Sequence, residues 1–100
     1  MSYAIENLRG DHLGFLLLSG GGESGDCIFR CLPRKREVFD APESTQLLKL
    51  QEEGEFRWRM QNRIIEVSTR QGSAIARIEN GRCELFDMKL KFIKLTNNTV

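Results

Sequence analysis

Three groups of residues in this chain are of types that could do chemistry. The first is Ser19-Gly20-Gly21-Gly22-Glu23-Ser24-Gly25-Asp26, in which Gly20, Gly22 and Gly25 keep the G-x-G-x-x-G spacing. That spacing serves dinucleotide binding, where backbone amides at the start of a helix meet a pyrophosphate. Here the residues that follow are Cys27-Ile28-Phe29-Arg30-Cys31-Leu32-Pro33, a β-type run ended by a proline that stops any helix within two turns. Gly20 and Gly25 also have the separation of a P-loop, but Asp26 stands where that loop needs lysine. A kinase-type glycine loop does lie between two strands, yet 100 residues are too few for the rest of that machinery. Glu23 and Asp26 would further set negative charge beside a phosphate. The expectation is a mobile hairpin loop, with Gly20, Gly21, Gly22, Glu23, Ser24 and Gly25 as a candidate contact segment.

The second group is Cys27, Cys31, Cys83 and His12, whose types suit a zinc shell. The spacing does not. On a strand, Cys27 and Cys31 share a face about 13 Å apart, too far for one ion or one disulfide, so small buried thiols are expected. The third group comprises His12, the single histidine, beside Asp11, together with the loop serines and the acidic cluster Glu52, Glu53 and Glu55. Nothing in the spacing joins a nucleophile to a base, and the acidic cluster reads as a solvated turn. No catalytic, cofactor-binding or metal residue is assigned. Arg9-Gly10-Asp11 and Asn97-Asn98-Thr99 match short extracellular motifs and are taken as chance.

What remains is charge. Residues 1–55 carry six Lys/Arg and ten Asp/Glu, a balance of −4, whereas residues 56–100 carry nine and four, a balance of +5. The net charge of +1 gives no strong pull toward nucleic acid or an anionic membrane. The basic residues left as candidates for a partner are Arg34, Lys35, Arg36, Arg59, Arg82, Lys89, Lys91 and Lys94. Trp58, Phe86 and Phe92 lie among basic residues, and rings stacked with arginines hold single-stranded nucleic acid; that is the alternative reading.

The elements that must position these residues are mostly strands. From Glu55 to Phe86 the hydrophobic period is two. Two-residue hairpin loops at Gln61-Asn62, Gln71-Gly72 and Asn80-Gly81 would set Phe56 beside Val67, Ala76 and Leu85 in one apolar row. Trp58, Ile65, Ile78 and Cys83 form the next, and Arg57, Glu66, Arg77 and Glu84 alternate in sign on the other face. After Leu85 the apolar residues change phase, so a bulge or corner is expected near Phe86-Asp87. One long strand then continues to Leu95, seeking a partner in residues 14–18 or in another chain. Residues 13–18 read as a strand buried on both faces. Residues 27–31 and 37–39 flank a hairpin tip at Leu32-Pro33-Arg34-Lys35-Arg36. Residues 42–53 fit a helix with an Asp40–Glu43 capping box, Pro42 in its first turn and Gly54 as its stop, in preference to a strand over 45–51.

The expected architecture is a mainly β domain over residues 1–95, an antiparallel meander curling into a small barrel or curved sheet with at most one short helix, and a frayed tail at 96–100. The expected function is that of a non-catalytic protein-binding module acting through a dipolar charged surface, with self-association through the 88–95 strand. A nucleic-acid-binding β domain and an enzyme of unknown class are the alternatives. The N-terminus lacks the basic-then-apolar run of a signal peptide, no apolar run is long enough to span a bilayer, and three cysteines are an odd number. A cytoplasmic protein with no membrane partner is therefore expected.

Overall fold

A computed structural model describes residues 1–85 and 88–95. Eight antiparallel strands, each hydrogen-bonded to the next and the last to the first, close into a barrel. In chain order they are β1 (Ser2–Asn7), β2 (His12–Leu18), β3 (Ser24–Cys31), β4 (Glu55–Gln61), β5 (Ile64–Ser68), β6 (Ala74–Glu79), β7 (Arg82–Leu85) and β8 (Met88–Leu95). Two helices, α1 (Arg36–Phe39) and α2 (Pro42–Glu53), sit between β3 and β4. The expected curling meander is therefore a complete up-and-down barrel.

The interior is filled by the inward residues of each strand. One row runs Tyr3, Leu16, Phe29, and another Leu18, Cys27, Phe56. Across the barrel the rows are Met60, Ile65, Ile78, Cys83, Leu90 and Trp58, Val67, Ala76, Leu85, Met88. Most of these side chains are buried, with Phe29, Phe92 and Leu16 almost wholly enclosed. An eight-stranded barrel is just wide enough for side chains to fill it. Leu47 and Leu50 of α2 and Val38 of α1 join the same core. Gln51 Oε1 accepts from the Cys31 amide at 2.7 Å and the Cys31 thiol donates to the Ser44 carbonyl at 3.4 Å, fastening α2 to the end of β3.

The hairpin register agrees with the expected face pattern but not with every turn. Asn80-Gly81 turns as expected, with both residues at positive φ and Ala76 opposite Leu85. The β4–β5 turn is Asn62-Arg63, not Gln61-Asn62. Both of its residues have positive φ, at 52° and 65°, and asparagine takes that conformation more readily than glutamine. The register moves by two residues, which preserves the side-chain face. Trp58 rather than Phe56 faces Val67, and Arg59 rather than Arg57 faces Glu66. The β5–β6 connection is longer than two residues. Thr69 closes it by donating its amide to the Ser73 carbonyl at 2.8 Å, and a bulge follows Val67. Even so, Val67 faces Ala76 as expected.

Several expectations fail for identifiable reasons. Residues 37–39 are helical, not a strand paired with 27–31; β3 pairs instead with β4. The capping box is not formed. Ala41 is the N-cap of α2 and makes no side-chain cap bond, although Pro42 and Gly54 end the helix as expected, Gly54 at φ +91°. β7 and β8 are not one long strand: they pair antiparallel, Leu85 opposite Met88. A reversal after Leu85 changes the apolar phase without any slip. The expected bulge at Phe86-Asp87 and the tail at 96–100 lie outside the described residues. The second partner of β8 is β1, not residues 14–18. Its signal was present, because Tyr3 and Ile5 alternate with Ser2, Ala4 and Glu6. Finally, β2 is not buried on both faces: Phe15 and Leu17 point outward and are half-buried.

Candidate functional site

A filled barrel leaves its outer wall and its two ends for function. Five charged side chains on the outer wall align across five strands: Arg59, Glu66, Arg77, Glu84 and Lys89. The sign alternates at every step, the favourable arrangement for neighbours in a sheet. The hairpin pattern predicts Arg57 at the head of this row; the shifted β4–β5 turn puts Arg59 there and Lys89 extends it.

A second row lies one step along the strands: Glu79, Arg82, Lys91, Glu6 and His12. Its four charged members read minus, plus, plus, minus, with Arg82 and Lys91 directly opposite each other at the centre. Like charges in that position repel. The pair belongs to a groove of ≈ 940 Å³ on the outside of β6, β7 and β8, whose walls include Leu8, Arg77, Glu84 and Lys89. Leu8 is an exposed apolar residue, 56% accessible, at the edge of this basic surface.

The eight basic candidates are therefore not one site. Arg82, Lys89 and Lys91 share the groove. Lys94 leaves this group: it is in register with the inward-pointing Tyr3 and has the parity of Leu90 and Phe92, so it emerges at the barrel mouth. Arg59 lines a separate ≈ 530 Å³ groove across β3, β4 and β5, where Arg57 and Arg70 are offset by Asp26 and Glu66, and Arg70 is tied to Glu55 at 2.6 Å. Arg34, Lys35 and Arg36 line neither groove and lie where β3 leads into α1. Lys35 is bound there to Asp11 at 3.5 Å.

Asp11 ends the β1–β2 turn. The Asn7 side chain accepts from the amides of Arg9 and Asp11 and donates to the Asp11 carboxylate at 3.0 Å. Arg9 also pairs with Asp11 at 3.4 Å. Asn7's hydrogen bond, followed by Lys35, holds the Asp11 carboxyl below its ordinary pKa. Arg9 and Asp11 are thus turned on each other, which accounts for this tripeptide as a structural turn.

His12 sits at the end of the second row, its ring edge-on to Phe15 with centroids 4.9 Å apart. Partial burial and then the positive charge of Arg34 push its pKa down, against a smaller upward pull from Glu6. No serine is hydrogen-bonded to it among the described residues. The three thiols are free. Burial pushes Cys27 and Cys83 up to about 12 and raises Cys31 as well, the opposite of what a nucleophilic thiolate needs. Among the described residues no group of three or more His, Cys, Asp or Glu could hold a metal ion.

The glycine stretch is a turn between β2 and β3, and its last two members, Ser24 and Gly25, belong to β3 rather than to a mobile loop. The base of the turn is fastened. Ser19 donates its amide to the Asp26 carbonyl at 2.8 Å, the Trp58 indole donates to the Ser19 carbonyl at 2.8 Å, and Met60 donates its amide to the Glu23 carbonyl at 2.6 Å. A side chain at Gly25 would collide with the Ser19 carbonyl and the Trp58 indole. The glycine there lets an indole N–H reach a backbone acceptor, as a buried tryptophan requires. Within this stretch, Gly21 and Gly22 alone have open space around them.

These features define a small, closed antiparallel barrel with a filled interior and specialised outer walls. The chain belongs to a family described as HLGFF-containing, Neisseriales, whose model matches residues 1–98. The motif in that description corresponds here to His12-Leu13-Gly14-Phe15-Leu16, with leucine last. Its geometry is structural: a bulge between β1 and β2 turns Leu13 into full burial, and a side chain at Gly14 would strike the Arg30 carbonyl of β3. Comparison with curated proteins and with solved structures returns no match.

Proposed function

We propose that the protein is a small, non-catalytic docking module that holds an acidic segment of another protein on the outside of β6, β7 and β8. The observation that carries this reading is the Arg82–Lys91 pair, two like charges held side by side in a groove whose other outward neighbours alternate. A carboxylate placed over the pair relieves its repulsion and makes charge-assisted hydrogen bonds with both cations. Lys89 and Arg77 extend the attraction, and Leu8 offers an apolar contact. Electrostatic complementarity of this kind sets encounter rate and specificity. The acidic residues Glu6, Glu79 and Glu84 interleaved with the cations fit a protein segment of discrete carboxylates better than a continuous polyphosphate. The cytoplasm is the proposed compartment, in keeping with three unpaired cysteines. Among the described residues, no helix is long and apolar enough to cross a membrane. Strand addition at β8 is not part of this reading, because β7 pairs with it from Met88 to Lys91 and β1 from Leu90 to Leu95, so neither edge is open along its length.

The test is recovery of the tagged protein from its native cell, with and without nuclease, beside an Arg82→Glu/Lys91→Glu variant. A protein retained by the wild type, insensitive to nuclease and lost from the variant supports the reading. Identical recoveries from both proteins would overturn it. Loss on nuclease treatment would instead favour the nucleic-acid alternative, whose binding should weaken steeply with salt.

A further inference from the structure

Facing residues in an antiparallel pair alternate between two spacings. Hydrogen-bonded positions hold their Cα atoms about 5.5 Å apart, and non-hydrogen-bonded positions about 4.5 Å apart, where the side chains stand closer. Phe92 donates its amide to the Gly81 carbonyl at 2.7 Å, which fixes this alternation along β7 and β8. Arg82 and Lys91, the next pair, take the close, non-hydrogen-bonded position. The backbone of Lys91 then bonds toward β1, so Lys91 faces Glu6 across the wider spacing. The backbone of Arg82 bonds toward β6, so Arg82 faces Glu79 across the wider spacing as well. Along the ladder, each cation therefore stands nearer to the other cation than to the carboxylate on its far side. Glu79 is moreover turned to Arg77, at 3.9 Å. Neither Arg82 nor Lys91 makes an ion pair among the described residues.

The groove around this pair is lined by the cations Arg77, Arg82, Lys89 and Lys91 and by the carboxylates Glu79 and Glu84, an excess of two positive charges. A single carboxylate answers half of that excess. A phosphomonoester carries about −1.5 to −2 at pH 7 and presents three strong acceptor oxygens. We propose that the group anchored between Arg82 and Lys91 is a phosphorylated side chain of the partner protein, so that phosphorylation of the partner switches docking on. This inference rests on the reading of the groove as a dock for an acidic segment and names the anchoring group. The Arg82 guanidinium offers a planar fork to two phosphate oxygens, and the Lys91 ammonium meets the third as a point charge. Lys89 lies two residues along β8 on the same face, about 7 Å away, and adds to the attraction at longer range.

Nuclear magnetic resonance titration of the whole chain tests it, with three probes: N-acetyl-phosphoserine methylamide, N-acetyl-glutamate methylamide and dimethyl phosphate. The phosphoserine probe should shift the amides of Arg82, Lys89 and Lys91 and bind at least about fivefold tighter than the glutamate probe. Arg82→Gln and Lys91→Gln should each weaken it by about tenfold, and Arg59→Gln, in the other groove, should not. The preference for phosphoserine should shrink severalfold between about pH 7.5 and pH 5.5, as the phosphate takes up its second proton near pH 6 while the glutamate probe stays ionised. Reading the ratio of the two affinities cancels any titration of His12 or Glu6 in the neighbouring row. The amide spectrum of each variant reports that it is folded. Equal binding of the phosphoserine and glutamate probes, or a ratio indifferent to pH, overturns this inference and leaves the acidic-segment reading standing. Absence of shifts in the groove with either probe overturns both. Dimethyl phosphate binding as tightly as phosphoserine would assign the pair to the diester backbone of a nucleic acid and likewise overturn the proposal.

Discussion

The two outer walls of the barrel cover one core and are made from the same backbone ladder, yet they differ in kind. Across β4 to β8 the outward residues alternate in sign, Arg59, Glu66, Arg77, Glu84, Lys89. Across β8 to β3 they are Ile93, Ala4, Phe15 and Leu95, Ser2, Leu17, Ile28. The difference shows how little the inward face constrains the outward one. Closure demands large apolar side chains inside on every strand, and successive residues point to opposite sides, so the outer position is free to take whatever association requires. One wall repels nonspecific packing by its charge. The other leaves apolar area uncovered.

Substitutions on adjacent residues of β8 give the largest contrast. Phe92 points inward and is almost wholly buried; Phe92→Ala should cost about 3–5 kcal/mol in urea unfolding. Ile93, the next residue, points outward, and Ile93→Lys should change the monomer's stability by no more than about 0.5 kcal/mol. Similar costs for both would mean that the apolar wall is part of the core. On the charged wall, Glu66→Lys places a cation between Arg59 and Arg77. It should cost roughly 1 kcal/mol at low salt, from two like-charge neighbours, with much of the loss recovered as salt screens them. A salt-independent loss would point to packing instead.

The smallest effect sits at the border between the walls, at His12. Its folded pKa lies below the ordinary value because of burial and Arg34. As pH falls below about 6.5, the unfolded chain takes up a proton that the folded one refuses, so stability declines until the folded pKa is passed. Chemical denaturation between pH 7 and pH 5 should show a gentler loss for His12→Gln than for the wild type. Equal slopes would assign the pH dependence to other groups.

The charged wall was largely legible in the sequence, because one apolar and one polar face produce a clean period of two from Phe56 to Leu85. The register there was off by one turn. Asn62-Arg63 is a less recognisable pair than Asn80-Gly81, but a two-residue slip leaves the faces intact, so the alternation survived with Arg59 in place of Arg57. The apolar wall was not legible. Leu13-Gly14-Phe15-Leu16-Leu17-Leu18 is apolar on both faces, and such a run cannot be told from a doubly buried strand by period alone. Arg82, Lys89 and Lys91 stood among the basic candidates, but their meeting in one groove was not visible. Arg82 meets Lys91 only because β7 and β8 reverse on each other, and Lys91 meets Glu6 only because the N-terminal strand closes the barrel. In the sequence the first reversal reads as one continuing strand, since a phase change in the apolar pattern looks alike for a bulge and for a turn. The helical turn over α1 likewise gave no periodic signal in four residues.

A double-mutant cycle on Arg82→Gln and Lys91→Gln, read by unfolding free energy at low salt, tests the site's central premise most directly. A repulsive coupling of a few tenths to about 1 kcal/mol, shrinking as salt is added, is predicted for two cations held opposite each other. A zero or attractive coupling would contradict the pairing and remove the reason for placing an acidic partner there.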